Sequence, residues 1–222
     1  MPVLDVVSAL ERFYGPLAAP PGDPFRCFVW EALGTQTTPV RRDAAYSALQ
    51  RIPALTPDGM FRAPRARLTT AIALAGPYQE QRLAALFGGV ARFRREPGLA
   101  SVIRGPLGGA TRALQTLPRL SDASVTRLLL FGGNHPVMPV DRDTVRLCVR
   151  LGTADGTGSP TAVARRIRQE IQRALPADPS VFKRTALYLG HHSVQTCTED
   201  PHCVVCPLRQ QCPSAKCKIA NR

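Results

Sequence analysis

Two sets of residues in this sequence have the types and spacing to do chemistry. The first is four cysteines near the C-terminus, Cys197, Cys203, Cys206 and Cys212, spaced C-x5-C-x2-C-x5-C. Thiolates at that density are metal ligands or disulfide partners, and a 222-residue chain that opens with no signal peptide favours the metal. Four-cysteine sites hold structural zinc or 4Fe-4S clusters. Zinc is usually gripped by two close cysteine pairs, and only Cys203 and Cys206 form one here. The wider outer intervals suit a 4Fe-4S cluster, whose irons take thiolates from several directions, with zinc as the alternative. Pro207 and Pro213 keep the loop from winding into helix. Cys217 is a spare for Cys212, while Cys27 and Cys148 lie in apolar helical stretches and read as small core residues. His191 and His192 precede the loop, and because four cysteines need no further ligand, these histidines are expected beside the site or at the surface.

The second set centres on Asp141, in the run Pro139-Val140-Asp141-Arg142-Asp143-Thr144-Val145. By residue type alone Asp141 is a helix N-cap, with Thr144 three residues on. A helix N-terminus also favours an anionic side chain there. Asp143 points elsewhere on the same helix and reads as a surface charge.

The elements that must position these groups are helical almost throughout. Val3 to Tyr14 is amphipathic, with Leu4, Val7, Leu10 and Phe13 on one stripe. Further helices are expected at 25–33, from Thr38-Pro39 to 51, at 56–62, 64–74 and 79–95. Gly105 to Gly109 reads as a turn before a helical pair, 110–116 and 122–131, joined tightly by Leu117-Pro118-Arg119-Leu120-Ser121. Gly132-Gly133-Asn134 supplies the C-cap, and helices follow at 142–151, 160–174 and 179–191. The expected fold class is all-α. The net charge is +13, with 29 Lys and Arg against 16 Asp and Glu. A GC-rich coding sequence explains arginine over lysine, of which there are only Lys183, Lys216 and Lys218, but not the shortage of acids. The excess points to a polyanionic partner, most simply nucleic acid. No apolar run of about 18 residues suggests a membrane span.

The helix, tight hairpin, helix and following Val140-Asp141, with the cysteines downstream, resemble the endonuclease III branch of the helix-hairpin-helix DNA glycosylases. Leu33-Gly34-Thr35-Gln36-Thr37-Thr38 is similar to the family's segment after its second helix, and Ala75-Gly76-Pro77-Tyr78 to its wedge loop. In order, these motifs cover roughly residues 20 to 212. The resemblance implies two helical lobes flanking a DNA-binding cleft: a six-helix barrel at 18–134, with the helix-hairpin-helix at about 110–131, and a cluster lobe from 1–17 and 135–222. It also implies base excision repair on double-stranded DNA carrying a damaged or mispaired base, by a cytoplasmic monomer, nucleoid-associated if bacterial. In that scheme Gln36 faces the gap left by an extruded nucleotide and Pro77 or Tyr78 is the wedge. Leu117, Arg119 and Ser121 belong to the hairpin that meets the DNA backbone, Asp141 is the catalytic acid, and the four cysteines hold the cluster.

The sequence departs from that pattern where chemistry matters. Bifunctional members carry a lysine two residues after the hairpin, and here the position is Ala123. A methyl group cannot form a Schiff base, so the expected activity is hydrolytic base removal, with lyase activity weak or absent. The family's hairpin glycines are replaced by Arg119 and Ser121, with Asp122 beside them, which weakens or reroutes phosphate binding. The first cysteine interval is one residue shorter than the family's. The alternative reading is a catalytically degenerate relative that binds damaged or distorted DNA without efficient base removal.

Overall fold

A computed structural model describes residues 2–215; Cys217, Lys216 and Lys218 lie outside the described residues. Twelve α-helices follow in order among the described residues: α1 (Val3–Tyr14), α2 (Pro24–Gly34), α3 (Pro39–Gln50), α4 (Pro57–Arg62), α5 (Arg65–Ala73), α6 (Gln79–Arg95), α7 (Leu99–Arg104), α8 (Leu107–Gln115), α9 (Asp122–Arg127), α10 (Arg142–Arg150), α11 (Pro160–Ala174) and α12 (Pro179–Gln195). A π-helical turn, Leu128–Gly132, continues α9. Among the described residues there is no strand, and no helix is long and apolar enough to cross a membrane.

Five helices open by one device. Asp23, Thr38, Thr56, Ser159 and Asp178 cap α2, α3, α4, α11 and α12 through their side chains, and each is followed by a proline. The capping oxygen satisfies a backbone N–H that the helix leaves unpaired, and proline tolerates the first turn because it has no N–H to lose.

The chain divides into two compact units, Pro20–His135 and Met1–Ala19 with Pro136–Arg222. In Pro20–His135, α2 packs on α3 and α6, α5 on α3 and α6, and α7 on α8, with the π turn against α2. Phe25, Phe28 and Phe93 form its aromatic centre, Phe25 meeting Phe93 edge-on at 5.2 Å. In the other unit α1 and α10 both pack on α12, and α11 packs on α10.

Local signals misled in three places. The glycine-rich stretch 105–109 is not all turn: Leu107-Gly108-Gly109 is the first turn of α8, and α7 precedes it. Two helical glycines cost about 1 kcal/mol each relative to alanine, offset here by fully burying Ala110 and Leu114. The helix over 122–131 changes to π geometry at Leu128, and the left-handed residue after it is Asn134 (φ 62°), not a glycine. Gly133 is needed for space: a Cβ there would lie 2.7 Å from the Ile103 carbonyl oxygen and 2.8 Å from that of Leu129. On α1 the buried stripe is Val6, Val7 and Leu10, whereas Phe13 stays 48 % exposed. Tyr14 turns inward instead, its hydroxyl 2.7 Å from His192 Nδ1.

Gly89 sets how closely α6 meets α2, since a Cβ there would lie 2.1 Å from the Phe28 ring. Gly89→Ala is expected to lower stability by about 2–3 kcal/mol through overpacking, read as a lower urea midpoint with an unchanged slope.

Candidate functional site

In unit Pro20–His135 two loops are stitched together from behind. The loop after α2 carries Gln36, and the loop before α6 carries Pro77 and Tyr78; all three side chains are exposed, Tyr78 by 50 %. Tyr78 therefore keeps about half of its surface turned outward. Behind them lies Arg82, 1 % exposed and the bulkiest of the fully buried side chains. Its guanidinium donates to the carbonyl oxygens of Leu33 (3.2 Å) at the end of α2, of Thr35 (2.7 Å) and Gln36 (3.4 Å) on the loop that follows, and of Gly76 (3.0 Å) and Pro77 on the other loop. Burial lowers its pKa from the usual arginine value, yet a guanidinium keeps its proton. Thr37 Oγ1 adds a direct tie by donating to the Ala75 carbonyl at 2.6 Å.

Four non-glycine residues among those described have positive φ: Gln36 (49°), Tyr78 (68°), Arg119 (58°) and Asn134 (62°). Three of them are candidate DNA contacts named from the sequence. Left-handed backbone costs an ordinary residue about 1–2 kcal/mol and persists where surrounding structure over-determines it, which happens most often at functional sites.

The hairpin keeps a glycine-type bend without its glycine. Arg119 is exposed and left-handed, and Pro118 lies so close to α6 that a Cβ on Gly88 would be 2.8 Å from its ring. Ser121 caps α9, accepting from the Ser124 N–H at 3.1 Å. Leu117 is 4 % exposed, so its side chain anchors the hairpin and has no surface to offer a ligand. Ala123 is nearly buried, at 9 % exposure in the first turn of α9.

The other unit holds Asp141 and the cysteines. Asp141 caps α10, its Oδ1 accepting both the Thr144 N–H and the Thr144 hydroxyl at 2.9 Å. Asp143 pairs with Arg146 at 2.5 Å and is 43 % exposed. The cysteine loop is bolted to the same helix. Arg146 donates to the Cys197 and Ser193 carbonyls at 3.0 and 2.7 Å. Arg150 donates to the Thr198 and Glu199 carbonyls and lies 3.5 Å from Cys197 Sγ. Arg142 pairs with Glu199 at 2.6 Å.

Cys197, Cys203, Cys206 and Cys212 line one cavity of about 40 Å³, together with Leu147, Arg150 and His192. Among the described residues no three His, Cys, Asp or Glu side chains are grouped as ligands of a single ion. The four thiols thus surround a space without meeting at a point. Burial pushes the Cys206 thiol up, with Cys197, Cys212 and Cys203 adding to the rise. His192 is 1 % exposed, with Nε2 3.7 Å from Cys206 Sγ. Cys27 and Cys148 are buried in the core, and burial raises both thiols, that of Cys148 to about 12.

No protein-family model and no curated protein sequence matches the chain. Solved structures do. The chain is similar to a trapped endonuclease III–DNA covalent intermediate over 99 % of its own length and 99 % of that chain, at a TM-score of 0.74 and 16 % identity. It is similar to a thermostable thymine-DNA glycosylase at 0.71 and 15 % identity, covering 96 % of each chain. A third likeness, at 0.64 and 11 % identity over 88 % of this chain and 98 % of the other, is to the H. pylori 3-methyladenine DNA glycosylase MagIII bound to 1,N6-ethenoadenine. The chain therefore has the helix-hairpin-helix DNA glycosylase fold of the endonuclease III type.

Arg82 was not among the site residues read from the sequence. A signal for it exists: it falls on the same helical stripe as Leu86, Gly89 and Phe93, where a cation has no business unless something satisfies it. At the hairpin, Arg119→Gly is expected to raise stability by about 0.5–1 kcal/mol by relieving the left-handed strain, less the entropy glycine adds to the unfolded chain. Thermal unfolding checks it, with a midpoint higher by about 1–4 °C.

Proposed function

We propose that this protein is a base excision repair DNA glycosylase that hydrolyses the N-glycosidic bond of a damaged or mispaired base in duplex DNA, without an efficient lyase step. The observation that carries this reading is Asp141: a carboxylate held by two Thr144 hydrogen bonds at the start of a helix, in a chain with a DNA glycosylase fold over its whole length. The large arginine excess supports a polyanionic partner and gives affinity for any duplex, steeply dependent on salt.

The chemistry follows from what base removal demands. A base inside the stack is out of reach, so the nucleotide is extruded and the gap filled from the protein side. Exposed Gln36 offers an amide to the gap or to the unpaired partner base, and Tyr78 or Pro77 an apolar surface to stack into it. As the glycosidic bond breaks, positive charge builds on the deoxyribose. Asp141 stabilises that charge or orients the attacking water. The Thr144 bonds fix the carboxylate beforehand, so little reorganisation is required during reaction. No amine stands at position 123, where the methyl of Ala123 is packed into the helix turn. The only described lysine is Lys183, on α12.

The four cysteines are proposed to hold a 4Fe-4S cluster. The donor set fits in kind, because four thiols line a single cavity and thiolates are the ligands such a cluster takes. Arg150 and His192 lie beside two of the sulfurs, as partners that orient ligands commonly do. When bound, the cluster supplies a structural cross-link that holds the loop in shape.

Asp141→Asn is expected to reduce base release from a lesion-bearing duplex at least about 100-fold while leaving gel-shift affinity for that duplex within about threefold. Products from the unaltered protein should be nicked only after alkali treatment, and borohydride should trap no covalent complex. Undiminished release by the variant refutes the catalytic assignment, and alkali-independent nicking refutes the use made of Ala123. Purified protein is expected to be brown, with broad visible absorption and iron and sulfide by analysis. Colourless protein carrying zinc would refute the cluster and leave the glycosylase reading untouched.

A further inference from the structure

We infer that Arg82 is the positioning residue that joins the loop of Gln36 to the loop of Pro77 and Tyr78, so that the two meet a gap in DNA as one preset surface. The inference rests on the proposed reading of those loops as DNA-facing, and it adds the part that makes them act together.

The geometry assigns the Arg82 guanidinium a grip on both sides of Gln36 and on the Pro77 side of Tyr78, whose other side is held by the opening backbone bond of α6. Gln36 is flanked by the peptides whose carbonyls belong to Thr35 and Gln36, and both accept from the Arg82 guanidinium. Tyr78 is flanked by the peptides of Pro77 and Tyr78. The Pro77 carbonyl accepts from the guanidinium, and the Tyr78 carbonyl accepts from the Arg82 backbone N–H at 3.1 Å. The two left-handed conformations, φ 49° and 68°, are thus held by one residue. Neither would persist in a loosely tethered loop, because each is disfavoured for a residue with a side chain. Leu33, a further acceptor, is at the C-terminal end of α2, where unpaired carbonyls and the helix dipole both favour a cation.

Lysine could not do this work. Its ammonium has three donors at one point, whereas the planar guanidinium spreads five over a fork wide enough to reach two loops. Burial makes the arrangement all-or-none, since a buried cation that lost its carbonyls would be heavily penalised. Presetting both loops removes the ordering cost they would otherwise incur on entering DNA.

The test measures preference for a duplex containing a tetrahydrofuran abasic analogue, which presents a gap, over the same duplex intact. Arg82→Lys is expected to lower that preference about tenfold, as small misplacement of a positioned group does. A folded R82K protein that keeps the full preference overturns the inference. Should R82K fail to fold, Arg82→Gln serves, since it removes the buried charge and its single amide can reach only part of the acceptor set; a preference at least about tenfold lower is expected, and an unchanged one overturns the inference. A second readout separates positioning from mere folding. The effects of Gln36→Ala and Tyr78→Ala should be coupled with Arg82 present and become independent in the R82K background; coupling that survives there overturns the inference. If Q36A and Y78A both leave the preference intact, the loops are not DNA-facing and that reading falls, taking the inference with it. If they abolish it while R82K does not, only the role of Arg82 fails.

Discussion

A guanidinium placed where water cannot reach must be satisfied by the protein, and in unit Pro20–His135 that requirement organises everything around the candidate DNA-facing loops. Arg82 brings five donors to a site that offers five carbonyl oxygens. Those carbonyls come from the end of α2 and from two loops about forty residues apart in sequence. None of the acceptors is a carboxylate, so the stabilisation depends on the peptide dipoles being aimed correctly. Aiming them fixes the backbone, and fixing the backbone leaves the exposed side chains of Gln36, Pro77 and Tyr78 directed outward.

Strain and rigidity are thereby linked. Gln36, Tyr78 and Arg119 adopt left-handed backbone without glycine's freedom, and at each the neighbouring contacts supply what the residue's own preference does not. For the first two the support is Arg82. For Arg119 it is a hairpin clamped between buried Leu117, Pro118 against Gly88, and the Ser121 cap. A hairpin without its usual glycine can therefore keep a glycine-like bend, while gaining a cationic side chain at its tip.

The second unit solves a different problem with the same residue type. A loop of about sixteen residues rich in cysteine and proline makes few backbone ladders of its own, so it has to be hung on something rigid. Arg142, Arg146 and Arg150, spaced one helical turn apart on α10, supply the hooks. Since α10 begins at Asp141, the proposed catalytic carboxylate and the proposed cluster loop share one helix as their support. The proposed cluster would tie the cysteines to one another, while the arginines tie the loop's backbone to α10.

What the sequence determined by itself was local. Five cap-and-proline pairs, helical periodicity, the Asp141-to-Thr144 spacing and the cysteine intervals act through residues within a few positions of one another, and helix placement and the ordered set of motifs followed from them. Where helix formation depended on distant packing, local reading failed: Gly108 and Gly109 lie in α8 because Ala110 and Leu114 are buried, and Leu128 begins a π turn inside the core. The candidate site residues could be proposed from the sequence, but not the way they are assembled. Gln36, Tyr78 and Arg119 could be named from their motifs, whereas their left-handed backbone could not. Only the tertiary structure decided that Arg82 is buried, because its acceptors lie up to 49 residues away and a buried charge becomes tolerable only once all of them have been brought to it.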